Sequence, residues 1–182
     1  MLVEKTKLKD CFLIHNQLFE DSRGYFFESF HERKFYESTG LATHFVQDNQ
    51  SKSQRGVLRG LHYQTGDFAQ AKLVRVLSGK VQDVVVDVRK NSPTYGQHLS
   101  IELSAENQTQ VFIPRGFAHG FLVLSDEATF FYKCDNYYNK KSEGGILYND
   151  PALGIDWQLS EAQLILSEKD RMNPLFENIS KQ

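Results

Sequence analysis

Between Gly56 and Gln64 the chain reads Gly-Val-Leu-Arg-Gly-Leu-His-Tyr-Gln. It alternates well enough for a β-strand, yet Arg59, His62 and Gln64 stand among its apolar residues. A strand that only filled a core would not carry three such groups. A second stretch, Pro114-Arg115-Gly116-Phe117-Ala118-His119-Gly120, supplies another histidine. Lys72 heads a row shared with Val74 and Val76, and Asp83 lies inside the run Lys80–Arg89. A carboxylate pointing inward there needs a partner. Taken singly these residues are ordinary, since a strand-end lysine is usually solvated and a hydrogen-bonded core histidine is common. Together they are ionisable groups from several strands directed at one interior, which packing alone does not explain. The two histidines are expected to meet inside a small β-barrel.

The elements that must hold them are strands at short intervals. They are expected over Leu8–Ile14, Tyr25–Phe30, Gly56–Gln64, Ala71–Ser78, Lys80–Arg89, His98–Leu103, Gln110–Ile113, His119–Val123 and Ala128–Tyr137. Turn residues such as Gly66-Asp67, Ser78-Gly79, Asn91-Ser92-Pro93 and Ser125-Asp126 separate them. Phe19 to Gly24 reads as a turn. Val46–Ser53 is polar, with Gln47 and Asn49 two apart and so facing one way if extended. Ser29 with Glu32 has the form of a capping box opening a short helix over Glu32–Ser38, stopped at Gly40. Ser160–Gln163 reads as the start of another, and the tail from Arg171 as irregular. In Lys80–Arg89, Val84, Val86 and Val88 share the face assigned to the core; Asp83, Val85 and Asp87 share the other. Strict alternation also puts Arg59 and His62 on opposite faces, so both point inward only if the strand bulges at Gly60. Many short strands of this kind specify an all-β fold, a double-sheet antiparallel jelly-roll barrel with a few short helices.

The 182 residues are expected to form one domain, 1–182, with no linker or repeat dividing them. A net charge of −2 gives no basis for nucleic-acid binding. No apolar stretch approaches the ~20 residues of a membrane span, and the first ten residues are charged and polar, unlike a secretory signal. Two cysteines, Cys11 and Cys134, make no disulfide framework, so a cytoplasmic protein with buried thiols is expected.

The order of His62, Lys72, Gly79 and Pro114-x-Gly116-x-x-His119 resembles the cupin barrel. A metal-binding cupin carries His-x-His, a glutamate six residues before a glycine, and a last histidine. Here Gln64 takes the second position and Lys72 the glutamate's. An ammonium repels a cation and offers no lone pair, so the expectation is no metal.

More narrowly, the chain resembles the dTDP-4-dehydrorhamnose 3,5-epimerase family along nearly its whole length. The resemblance rests on Phe19-x-Asp21-x-Arg23-Gly24-x-Phe26-x-Glu28, Arg55 to Gln64, Gln70 to Val76, Asp83 to Asp87, Pro114 to Phe121 and Ser167-Glu168-Lys169-Asp170. It implies a cofactor-free proton transfer at C3 and C5 of a dTDP-linked 4-keto sugar. It makes His62 the general base, Asp170 the carboxylate that orients it, Tyr132 the acid on the opposite side of the ring, and Lys72 the stabiliser of the enolate. His119 and Asp83 become an interior pair near the sugar. Arg59, Gln47 and Asn49 become contacts to diphosphate and sugar, and Tyr138 an aromatic stacked on thymine. Phe19, Arg23 and Glu28 are implied to serve the other subunit's nucleotide site, hence a homodimer with shared sites. Without the resemblance Tyr132 beside Phe130 reads as core, Tyr138 as surface, Arg23 and Glu28 as a surface pair, and Asp170 as part of an exposed charged turn.

The chemistry accounts for the residue types. A proton beside a ketone is far less acidic than an imidazolium, and each pK unit of mismatch costs ~1.4 kcal/mol. A general base supplies only ~10²–10⁴ in rate, so the enolate oxygen must be stabilised as well. Inversion then needs a donor on the other face. The rivals are an epimerase acting at C3 or C5 only or on another 4-keto sugar, and a 3,4-ketoisomerase. More distant are a metal-dependent cupin oxygenase, opposed by Gln64 and Lys72, and a silent sugar-binding barrel, which would need neither base nor acid.

Overall fold

The computed structural model describes residues 1–181; Gln182, the last residue of the expected domain, lies outside them. The described residues form thirteen strands in chain order. They are β1 (Leu2–Lys5), β2 (Phe12–His15), β3 (Phe19–Asp21), β4 (Gly24–Phe26), β5 (Gln47–Gln54), β6 (Leu58–Gln64), β7 (Lys72–Ser78), β8 (Lys80–Asp87), β9 (His98–Ser104), β10 (Thr109–Ile113), β11 (Phe117–Val123), β12 (Glu127–Cys134) and β13 (Glu143–Gly145). One sheet runs β1-β2-β10-β7-β12-β5, a second β13-β6-β11-β8-β9, and β3-β4 is a separate hairpin. Every pairing between these strands is antiparallel. This is the expected double-sheet jelly roll. Its helices are short: α1 (Glu32–Thr39), α2 (Glu168–Arg171) and a few 3₁₀ turns. No helix among the described residues is long and apolar enough to cross a membrane.

Local chemistry explains several boundaries. Helix α1 stops where Gly40 takes a left-handed φ of 72° and its N–H donates to the Tyr36 carbonyl. Its N-cap is not Ser29, as the sequence suggested, but His31, whose ring accepts from the Lys34 N–H. Leu8–Cys11 turns back on itself before β2, so the first predicted strand begins at Phe12. Phe19–Asp21 is a strand rather than a turn, because it pairs with Gly24–Phe26. The polar segment after Val46 is the edge strand β5, paired with β12 along its whole length. The expected irregular tail contains a 3₁₀ helix over Phe176–Lys181.

The core between the sheets is built from Val74, Val76, Val85, Val111, Ile113, Phe121 and Phe130, among others. In β8 the Val84 and Val86 face is core, as expected, but the other face is buried as well. The Asp83, Val85 and Asp87 side looks between the sheets, while Val84 and Val86 pack outward against Leu61, Ile146 and Leu153. Both faces of β8 are buried because the segment after β13 roofs the second sheet, with Trp157 and Ile179 packed against that outer cluster. Alternation separates two faces but does not say which one a later segment will cover.

The bulge anticipated at Gly60 is present. His119 pairs with His62 and Phe121 with Arg59, so one residue of β11 faces two of β6. Gly60 has a φ of 126°, and the Gly60–Leu61 peptide is cis. A Cβ on Gly60 would lie 2.5 Å from the Gly120 Cα, and one on Gly120 would lie 2.7 Å from the Arg59 carbonyl oxygen. The two glycines let the strands cross closely while both polar residues of β6 turn inward.

Candidate active site

A cavity of about 630 Å³ opens between the two sheets. Its polar lining includes His62, Lys72, His119, Tyr132, Asn49 and Arg59. His62 comes from β6 and His119 from β11 of one sheet; Lys72 comes from β7 and Tyr132 from β12 of the other. The two histidines are direct cross-strand neighbours. Asn49 on β5 is likewise in register with Tyr132.

Each histidine has its own carboxylate. His62 Nε2 lies 2.5 Å from Asp170 Oδ1. Burial tends to raise the pKa of Asp170, but the hydrogen bond and charge of His62, with the Ser167 hydroxyl, outweigh it and hold the carboxyl below its ordinary range. An ionised carboxylate only accepts, so Nε2 carries the hydrogen and Nδ1 keeps the lone pair. Asp170 is 4% exposed, far from the charged surface turn that its neighbours suggest. His119 Nε2 lies 2.8 Å from Asp83 Oδ2, and neither side chain meets much solvent. Its ring also stacks on Phe130, centroids 5.8 Å apart. The other oxygen, Asp83 Oδ1, is buried without a hydrogen-bond partner.

On the facing sheet, Lys72 Nζ lies 5.7 Å from the centre of the Tyr132 ring. Burial depresses the pKa of Lys72, opposed by Cys134 and Asp83. Cys134, in register with Lys72, is itself pushed up to about 11 by burial, so it is a neutral thiol at neutral pH. Lys72 therefore has no thiolate as counter-charge. Burial also raises Tyr132, helped by Cys134 and opposed by Arg59, which keeps its phenol protonated. A desolvated lysine and a neutral phenol face an imidazole whose neutral form has its lone pair free at Nδ1. Such a set can remove a proton on one side of a ring, stabilise an oxyanion, and return a proton on the other.

Gln47 and Tyr138 belong to the rim. Gln47 Nε2 donates to Asn49 Oδ1 at 3.0 Å, and Gln47 Oε1 accepts from the Tyr138 N–H at 3.2 Å. Phe19, Arg23 and Glu28 are not in this cavity. Phe19 and Arg23 flank a separate recess of about 230 Å³ on the β3-β4 hairpin. Arg23 and Glu28 do not pair with each other as a surface pair would: Arg23 binds Asp21 and Glu28 binds Lys34.

Sequence reasoning missed three contributors. Ser167 donates to Asp170 Oδ2 at 2.8 Å and lines the cavity. Lys169 also lines it and pairs with Glu143 at 2.7 Å. The Ser-x-x-Asp spacing is a helix-start signal that could have singled out Ser167. Nothing local pointed to Glu143, which is brought in by the pairing of β13 with β6. Gln64, at the position of a second metal ligand, is occupied elsewhere: its Oε1 accepts from the Asn139 N–H at 2.8 Å.

Comparison with known proteins points to one family. A family model described as dTDP-4-dehydrorhamnose 3,5-epimerase matches residues 5–178. The dTDP-4-dehydrorhamnose 3,5-epimerase of Salmonella typhimurium is 52% identical over 177 residues, 97% of this chain and 96% of that protein. A crystal structure of the same enzyme from Elizabethkingia anophelis aligns with a TM-score of 0.95 at 60% identity, over 98% of this chain and 97% of that one. A Legionella pneumophila dTDP-6-deoxy-D-glucose-3,5-epimerase, solved in complex with dTDP-4-keto-L-rhamnose, aligns at 0.93 with 49% identity, over 98% and 94%.

Proposed function

The chain belongs to the dTDP-4-dehydrorhamnose 3,5-epimerase family, and from that premise we propose how its residues divide the work. The reaction inverts C3 and C5 of dTDP-4-dehydro-6-deoxy-glucose to give dTDP-4-dehydro-rhamnose. The observation that carries our assignment is that His62 and Tyr132 project from opposite sheets into one cavity. His62 Nδ1 takes the proton next to the C4 ketone, and Asp170 holds the imidazole and stabilises the imidazolium that forms. The electron pair moves onto the C4 oxygen as an enolate. Lys72, poorly solvated before the reaction, gains most when negative charge develops beside it. Tyr132 then protonates carbon from the other face, and its phenolate recovers a proton from solvent. His119, held by Asp83, contacts the sugar, as do Asn49 and Gln47; Arg59 meets the diphosphate and Tyr138 stacks on the thymine. Incubation with dTDP-4-keto-6-deoxyglucose, followed by NMR at C3 and C5, tests the function directly. Inversion at both carbons is expected; an unchanged sugar would overturn it, and inversion at one carbon would make the chain a monoepimerase.

No metal enters this scheme. Lys72 stands where a third ligand would be, and the oxygen of Gln64, at the second ligand position, is taken by the Asn139 N–H. Turnover is therefore expected to be unchanged by prolonged chelation, with no stoichiometric metal by elemental analysis. One equivalent of metal whose removal stops turnover would contradict this.

We further place residues 1–182 in one domain, in the cytoplasm, where Cys11 and Cys134 stay reduced, and assign a homodimer with shared nucleotide sites. The hairpin that carries Phe19 and Arg23 exposes Phe19, Tyr25 and Phe26 to more than half their extent, an apolar surface suited to a second copy. Arg23→Ala is expected to weaken substrate binding. Mixing it with His62→Ala under subunit exchange should recover activity, because one of the two mixed sites then has both residues. No recovery once exchange is demonstrated would count against sharing.

A further inference from the structure

We propose that Ser167 is a positioning residue for proton removal, acting through Asp170; this rests on His62 being the base. Asp170 has two carboxylate oxygens and the structure gives each one side-chain donor. Oδ1 faces His62 Nε2, and Oδ2 accepts the Ser167 hydroxyl at 2.8 Å. The same Ser167 oxygen accepts the Asp170 backbone N–H at 3.1 Å, capping α2. A hydroxyl has one proton and two lone pairs, so Ser167 can meet both demands at once. Asp170 is thereby held at its backbone and at its far oxygen, and the remaining oxygen is aimed at His62.

The anchor has something rigid behind it. Two residues before Ser167, Ile165 bridges to Val57 beside the start of β6. Its N–H donates to the Gly56 carbonyl at 2.8 Å, and its carbonyl accepts from the Leu58 N–H at 3.0 Å. Ser167 therefore transmits the position of β6, the strand that bears His62, to the carboxylate that must meet it. Without the hydroxyl, Asp170 Oδ2 is left in a nearly closed site lacking its side-chain donor. The carboxylate then turns to find another, and the His62 ring loses its fixed orientation.

The test separates positioning from capping and from substrate contact. Ser167→Ala is expected to slow deuterium exchange and kcat together by about 10- to 100-fold, the range for a lost hydrogen bond to a charged group, with KM nearly unchanged. Ser167→Thr keeps donor and cap and should restore most of the rate. Ser167→Gly is tolerated at an N-cap but has no hydroxyl to donate, so it should remain slow while melting close to the wild-type protein. Wild-type kcat in Ser167→Ala would overturn the proposal. So would a loss carried by KM alone, which would make the hydroxyl a substrate contact, or a fast Ser167→Gly, which would leave only capping. His62→Ala run alongside distinguishes the failures. If it still exchanges deuterium, the base assignment is wrong; if it is inactive while Ser167→Ala is normal, only the positioning role falls.

Discussion

His62→Ala is expected to lose deuterium exchange at C3 and C5 and inversion at both, because no enolate forms without the base. His62 Nδ1 is the one lone pair that the Asp170 contact leaves free on that ring. The second cavity imidazole, on His119, cannot simply take over. It has the same arrangement, with Nε2 on Asp83, but its side chain is 8% exposed against 35% for His62 and its ring is stacked on Phe130. A general base contributes ~10²–10⁴ in rate, and both readouts should fall by at least that much. The substitution also takes the imidazole from buried Asp170, leaving the Ser167 hydroxyl as its side-chain donor. That costs on the order of 1–3 kcal/mol of stability, so the melting temperature should be recorded with the rates. Exchange at the wild-type rate in a folded His62→Ala protein would remove His62 from the mechanism.

Tyr132→Phe is expected to behave differently, and the difference is the informative part. It deletes one oxygen and keeps the ring against Phe130, so packing changes little. The enolate should still form, and His62 should return solvent deuterium to the face it came from. The substrate then gains label while inversion falls by ~10²–10⁴. The loss should be greatest at C5 if C3 can be reprotonated by water. Exchange and inversion falling together would mean that the phenol is needed to form the enolate, as a donor to its oxygen. Inversion of both carbons at the wild-type rate would take Tyr132 out of the reaction.

The fold was legible because antiparallel strands advertise themselves by alternation and turn residues, and here those signals recur from Gly56 to Cys134. The cavity was legible in part for the same reason. His62, Lys72 and His119 sit on regular strands, while the bulge between Arg59 and His62 followed from the roles given to those two residues, Gly60 only permitting it. Edge strand β5 was harder, since a strand with little apolar character shows a polar alternation that fits a loop equally well. The covering of β8 on both faces was not legible at all, because it depends on a segment folded back from more than fifty residues downstream. Asp170 is the same problem in the site itself. It is 108 residues from His62 and lies in a charged tetrapeptide, and only tertiary packing turns that tetrapeptide inward. Family resemblance placed it; the residues around it did not.

The central claim is that two different groups handle the leaving and the arriving proton. Single-turnover conversion in D₂O, with the product read by NMR and mass, tests it most directly. Two-sided transfer predicts one solvent deuterium at every inverted carbon, since the hydrogen taken by His62 is released to solvent before His62 acts again and the new one comes from Tyr132, whose hydroxyl carries deuterium in D₂O. Inverted carbons that keep the substrate's own hydrogen would mean a single group carries the proton from face to face, and the assignment of His62 and Tyr132 to opposite sides would be wrong.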